Sequence, residues 1–309
     1  MRAVVFAYHN VGVRCLSVLL AHDVDVRLVV THDDDPAESV WFESVEGLAR
    51  LHGLRVAKPA DPNGSGLMQD VAALRADFLF SFYYRKMLAP GLLDAPRRGA
   101  LNMHGSLLPR YRGRAPVNWA VIKGERETGA TLHYMVAKPD AGDIVAQQAV
   151  PILPNDTAFD VLGKVTLAAE MVLDRVLPEL VAGTAPRTAQ DLARGSYFGG
   201  RKPEDGRIDW QLGAAEIHNL VRGVAPPYPG AFSRVGKKRL RVLRTLLPSA
   251  PPPRLGFPAL YCYAGHCYAE CGDGNAVRIL SMEVDGRMLD ERSFQHAGTT
   301  PPVRLPIQT

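Results

Sequence analysis

Long apolar runs are missing from this sequence of 309 residues. No stretch approaches the roughly 18 consecutive apolar residues of a membrane-spanning helix, so none is expected. Cysteine is scarce at 4 residues, too few for a disulfide framework in a chain this long. The opening MRAVVFAYHN holds only a short apolar run and no cleavage pattern of a secretory leader. A reducing, cytoplasmic setting is the resulting expectation. A strong charge of one sign is also lacking: 36 Lys and Arg face 32 Asp and Glu, a net charge of +4. That balance permits an anionic substrate without calling for nucleic acid. No Gly-x-Gly-x-x-Gly follows the first apolar run, where the turn reads AYHNVG, so NAD bound in the usual way is not expected. Internal repeats are absent, and the proline run PSAPPPR is the one biased tract.

What is present is an alternation of short apolar runs with helical periodicities. AVVFA, VDVRLVV, RVAKPA, DFLFSFYY and ALNMHG read as strands. VRCLSVLLAHD, SVEGLARLHGL, GLMQDVAALRA and MLAPGLLDAP read as the helices between them. Such alternation predicts βαβ units and a doubly wound parallel sheet, Rossmann-like in outline. TLHYMVAKPDAGDIVAQQAVPI then reads as two strands around a loop at Asp140-Ala-Gly142. TAFDVLGKVTLAAEMVLDRVLPELVAG is the longest helical pattern. Periodicity fades from about 185 to 207, and short strands with turn signals follow. Residues 1–188 are therefore expected to form the α/β domain, 189–207 a linker, and 208–309 a small β-rich domain.

Sheets of this kind bind ligands beyond the carboxyl ends of their strands. Tyr8–His9, Tyr83–Tyr84–Arg85 and Asn102–His104 all fall at such ends. Residues two apart in a strand share a face, so Asn102 and His104 point the same way. An imidazole suits proton transfer near neutrality, and an amide N–H can donate to a developing oxyanion. The pair fits acyl transfer. A carboxylate commonly orients such a histidine. Asp140, in the KPDAGD loop between two strands, is the favoured candidate and Asp143 its competitor; spacing alone does not choose between them. A carboxylate beside His104 would raise its pKa by stabilising the imidazolium.

Plainer readings compete at several positions. Arg110, Arg112 and Arg114 read as a solvated basic loop. His133 alternates within TLHYM and reads as a strand residue; His9 reads equally as pocket lining or surface. Cys262, Cys267 and Cys271 lie near His266, but their spacing is not the paired CxxC of zinc modules, and a structural hairpin is favoured over a metal site. GKKRLRVLR reads as a strand with one solvated basic face. GGRKP and APPYPG read as linker and loop, either of which could reach a nucleotide, with Arg201 on a phosphate.

NMHGSLLPRYRGRAPVNWAVIKGERETGATLHYM and the later DAGDIVAQ carry a recognisable frame: Asn-x-His, SLLP, a Gly-containing basic loop, Gly-x-Thr-x-His and Asp-x-Gly. In that order and spacing it resembles the folate-dependent formyltransferases over essentially the whole chain. FAYHNVG and SFYYRKML are similar, more narrowly, to the formyltransferase part of the bifunctional enzyme of UDP-4-amino-4-deoxy-L-arabinose metabolism, used in polymyxin-resistance lipid A modification. The resemblance implies a Rossmann-like domain, a linker and an OB-like C-terminal domain. It implies N10-formyltetrahydrofolate as donor, with neither metal nor NAD, and a nucleotide-linked amino sugar as acceptor. It also implies Asn102 on the oxyanion, His104 handling protons and Asp140 supporting His104. Folate contacts would fall on Lys86, Met87, Leu88, Arg114, Val136, Ala137, Lys138 and Pro139. No second Gly-rich nucleotide fold follows, so decarboxylation is expected to fall to a separate protein. A methionyl-tRNA formyltransferase, a formyltetrahydrofolate hydrolase and a non-catalytic binding module are the competing readings. Glycinamide ribonucleotide formyltransferase fits less well, lacking such a second domain.

Overall fold

The computed structural model describes residues 1–36, 40–295 and 301–306. In chain order the elements are β1 (Arg2–Ala7), α1 (His9–Ala21), β2 (Asp25–Val30), α2 (Val45–Leu51), β3 (Val56–Ala57), α3 (Ser65–Ala73), β4 (Phe78–Phe82), α4 (Pro90–Leu93), β5 (Ala100–His104), β6 (Arg112–Gly113), α5 (Pro116–Ile122), β7 (Glu127–Tyr134), β8 (Ile144–Pro151), α6 (Ala158–Ala182), β9 (Tyr197–Phe198), α7 (Ala214–Gly223), β10 (Ala231–Val235), β11 (Lys238–Leu246), β12 (Ala259–Tyr263), β13 (His266–Glu270), β14 (Ala276–Val284), β15 (Arg287–Asp290), α8 (Glu291–Gln295) and β16 (Val303–Arg304). They divide into two compact units. The first comprises 1–116, 127–151 and 162–199; the second comprises 117–126, 152–161 and 200–309.

The first unit is built on a seven-stranded sheet in the order β3-β2-β1-β4-β5-β7-β8. Its central strands are buried from end to end: RAVVFA after its first residue, and FLFSF throughout. Helices on both faces leave no solvated side, which is why these strands read as continuous apolar runs rather than alternating ones. The strand order reverses between β1 and β4, so the crevice at their carboxyl ends is the switch point of the fold. The pairing is parallel as far as β5, as the sequence predicts, but β7 and β8 are antiparallel. That reversal sets Asn102 opposite His133 and His104 opposite Thr131.

The second unit carries an antiparallel sheet in the order β10-β11-β14-β13-β12-β16, with β15 added on β14. It is the small β-rich domain expected. Its core packs Trp210, Ile217 and Val221 against Leu240, Val242, Val277 and Ile279. Leu240 and Val242 are the buried face of the basic strand, while Arg241 pairs with Glu283 at 2.7 Å. The four cysteines are buried and outside any disulfide; Cys262 and Cys267 face each other across β12 and β13.

The stretch from 189 to 207 is more ordered than its composition predicts. Tyr197–Phe198 pairs in parallel with Arg112–Gly113, and Tyr111 stacks on Phe198 at 5.1 Å. Gln190 donates to the carbonyls of Asp140, at 3.1 Å, and Gly142, at 2.6 Å, and so ties down the loop after β7. Gly142 is required there by close approach: a Cβ would fall 2.1 Å from the Tyr134 carbonyl oxygen. Gly142→Ala is expected to cost about 1–3 kcal/mol through forced repacking, read as a lower urea midpoint at unchanged slope.

Candidate active site

The site begins at the end of β5. Asn102 is half-buried and His104 buried, and the pleat gives them one face. Beyond His104 the chain turns through SLLP, and that turn is tied to the opposite strand. Thr131 Oγ1 donates to the Ser106 carbonyl at 2.6 Å and accepts from the Leu108 N–H at 3.2 Å. Gln147 reaches from β8 to the Leu108 carbonyl at 2.9 Å. The threonine of the Gly-x-Thr-x-His motif thus serves the SLLP turn.

The basic loop is solvated at Arg110 and Arg114, as its sequence reading has it, but not at Arg112. Arg112 is 8% exposed, and its Nε is buried without a hydrogen-bond acceptor among the described residues. Next to it, the Gly113 N–H donates to Asp140 Oδ2 at 2.8 Å. Arg114 is exposed, and its backbone N–H donates to the Phe198 carbonyl at 2.9 Å.

Asp140 has its Oδ1 3.6 Å from His104 Nδ1 and 3.6 Å from His133 Nε2. Asp143 points elsewhere, to Arg187 at 3.6 Å. Of the two candidates, Asp140 is the one that lies beside His104. Asp140 holds a left-handed backbone, with φ of +50°, uncommon outside glycine but adopted by asparagine, aspartate and histidine more than by other residues. Burial by itself would raise its carboxyl; the attraction of His104 and His133 in their protonated forms and the Gly113 N–H outweigh burial and bring it well below the ordinary carboxylate value.

His104 Nε2 lies 2.8 Å from the Tyr111 carbonyl, which can only accept, so Nε2 carries a proton. Nδ1 is then the basic nitrogen, and it faces Asp140. Burial pushes the imidazole below its usual value, against the opposing pull of Asp140 and the Tyr111 carbonyl. The expected increase from Asp140 is present but overridden, because removing the ring from water disfavours the cation more than one carboxylate favours it. A neutral His104 can accept a proton at Nδ1, and the cation so formed lies against Asp140.

His133 was legible only as a strand residue, and it is one. It is also part of the site. Its Nδ1 donates to the Tyr134 carbonyl at 2.8 Å, so in the neutral ring Nε2 is an acceptor. The Asn102 amide nitrogen lies 3.2 Å from it. That bond turns the amide so that one N–H is held by His133 and the second remains for a ligand. The signal lay in the motif ending at His133. Gln190 and Gly113, the other supports, had none.

The loops expected to meet folate are in place to different degrees. The turn after β4 is pinned by Asn63, which donates to the Met87 carbonyl at 3.0 Å and accepts from the Ala89 N–H at 2.7 Å. Met87 is 62% exposed and Val136 46% exposed, so each loop presents an apolar side chain that a planar ring could cover. Ala137 and Lys138 are exposed and Pro139 half-buried. Leu88 packs in the core and offers only its backbone, and the Lys86 ammonium donates to the Ala60 carbonyl.

Set beside known proteins, the sequence matches the family described as Formyl transferase over residues 13–177, and the Formyl transferase C-terminal domain over 201–296. The chain belongs to the formyl transferase family. An N-formyltransferase from Helicobacter canadensis, solved with folinic acid and dTDP-3-aminofucose, is similar with a TM-score of 0.72 at 20% identity, over 90% of this chain and 98% of that one. WlaRD, a sugar 3N-formyl transferase solved in the presence of dTDP and 5-N-formyl-THF, aligns with a TM-score of 0.70 at 18% identity, over 90% and 97%. A 4-N formyltransferase from Francisella tularensis gives 0.60 at 21% identity, over 75% and 91%. At these identities the likeness is one of fold.

If neutral His104 is the working base, kcat/KM rises with pH through a pKa below about 6.5 and is flat above it. Asp140→Asn removes the carboxylate that opposes burial. The acid limb of the pH–rate profile should then move to still lower pH, while the plateau falls by about 10²-fold or more.

Proposed function

We propose that this formyltransferase moves the formyl group of N10-formyltetrahydrofolate to the amine of a nucleotide-linked amino sugar. The carrying observation is the arrangement of Asn102, His104 and Asp140 at one strand end: an oriented amide N–H, a neutral base and an ionised carboxylate behind it. The similar folds solved with folate and with dTDP or a dTDP-amino sugar support both substrate classes.

The chemistry follows from the placement. The neutral amine attacks the formyl carbon, and the carbonyl oxygen takes up negative charge beside the free Asn102 N–H. His104 Nδ1 takes the amine proton, and Asp140 holds the imidazolium. Collapse re-forms the carbonyl and breaks the bond from the formyl carbon to N10. The proton held by His104 passes to N10, so tetrahydrofolate leaves neutral at that nitrogen and the product is an N-formyl amide. The pteridine side would lie along Lys86, Met87, Leu88, Arg114 and the Val136–Pro139 stretch, with Met87 and Val136 supplying apolar cover. The acceptor that the FAYHNVG and SFYYRKML resemblance favours is UDP-4-amino-4-deoxy-L-arabinose, which would place the product in lipid A modification and polymyxin resistance.

A mass-spectrometric assay with N10-formyltetrahydrofolate decides the acceptor. A formylated UDP-4-amino-4-deoxy-L-arabinose is expected. Formylation of dTDP-linked amino sugars alone would move the assignment to that class, and formylation of methionyl-tRNA alone, or donor hydrolysis without transfer, would overturn it. His104→Ala should bind the folate with unchanged affinity and lose at least about 10²-fold in turnover, read by single-turnover kinetics.

A further inference from the structure

At the switch point, His9 follows β1 and Tyr83 follows β4. Both hold left-handed backbones, with φ of +67° and +57°. Strain of this kind persists only where the surroundings enforce it, and it gathers at ligand sites. His9 is 9% exposed, and its Nδ1 is buried with no hydrogen-bonding partner among the described residues. Rings enclose it: Phe42 at 4.4 Å, Trp41 at 4.7 Å and Tyr83 at 6.3 Å between centroids. A buried nitrogen without a partner is costly, and native structures rarely leave one without cause.

Tyr83 links this cluster to the reacting centre. A Cβ on Gly105 would fall 2.0 Å from the Tyr83 hydroxyl oxygen, so the phenol lies directly against the residue that follows His104. Tyr8 and Phe42 also border a cleft of about 110 Å³ whose walls include Asp33, Asp34, Glu43 and Glu46. Lys58 also lines the cleft and pairs with Asp33 at 2.6 Å and Glu46 at 2.9 Å, but the lining stays net negative and so disfavours a diphosphate. A nucleobase is separated from its sugar by that diphosphate, and so does not suit a position one ring away from His104.

We infer that His9, with Trp41, Phe42 and Tyr83, forms the subsite for the sugar ring of the acceptor: the aromatic faces cover the ring and His9 Nδ1 hydrogen-bonds one of its hydroxyls. This rests on the nucleotide-sugar reading above and names the part of the site that would tell one amino sugar from another. An apolar, aromatic wall with one placed polar atom is the usual make-up of a small-ligand pocket. The histidine is suited to a neutral partner, since burial and then Arg85 push its imidazole down to about 4. It serves here as a specificity residue and takes no part in the proton transfer.

Two variants test the assignment. His9→Gly removes the nitrogen and also relieves the left-handed backbone, so it should fold. His9→Asn keeps a polar atom at the Nδ1 position and tolerates positive φ. For the amino-sugar acceptor that the wild type uses, His9→Gly is expected to raise the acceptor KM about tenfold, the scale of one buried hydrogen bond. The donor KM should stay within about twofold and kcat within about threefold. His9→Asn should return the acceptor KM to within about threefold of wild type. An unmoved acceptor KM in His9→Gly, or donor and acceptor KM rising together, overturns the subsite and leaves the proposed function standing. A wild-type protein that formylates no nucleotide-linked amino sugar overturns both.

Discussion

A half-buried carboxylate tends to pick up a proton, and the candidate site depends on Asp140 not doing so. The groups that favour its charge come from three separate parts of the chain, the two histidines acting when protonated. The Gly113 N–H arrives from the basic loop, His104 from the end of β5, and His133 from β7. Gln190, far along the sequence, fixes the backbone that carries the carboxylate. Together these contacts outweigh desolvation, and the ionised Asp140 in turn gives the buried His104 cation somewhere to rest.

The same arrangement accounts for the pieces of the motif that do no chemistry. Thr131 closes the SLLP turn, and Gln147 seconds it from the neighbouring strand. Gly142 lets the loop fold back on Tyr134. Left-handed residues mark the rim, among them His9, Tyr83, Tyr111, Ala115 and Asp140. They lie in the turns after β1 and β4, on either side of β6, and in the loop between β7 and β8. The sheet beneath supplies the rigidity that holds them there.

Much of the fold was legible because parallel, doubly covered strands are written as unbroken apolar runs, and AVVFA and DFLFSF are such runs. The direction of β7 and β8 was not legible. A strand's composition does not say which way it runs beside its neighbour, and TLHYM looks the same either way. The choice between Asp140 and Asp143 was hidden for a similar reason, since a three-residue separation in a loop says nothing of where each carboxylate points. Residues 189–207 read as a linker because their hydrogen bonds run to distant partners and leave no periodicity.

By itself, then, the sequence determined the local terms: which stretches extend, where they turn, and that Asn102 and His104 share a face through the pleat. It also carried enough of a motif to mark the family. Only the tertiary structure decided what crosses between segments. The antiparallel register sets His133 on Asn102, and the returning loop sets Gly113 on Asp140. Burial decides that His104 stays neutral despite its carboxylate neighbour. Periodicity and propensity are properties of neighbours in sequence, whereas desolvation and long-range hydrogen bonds exist only once the chain has packed.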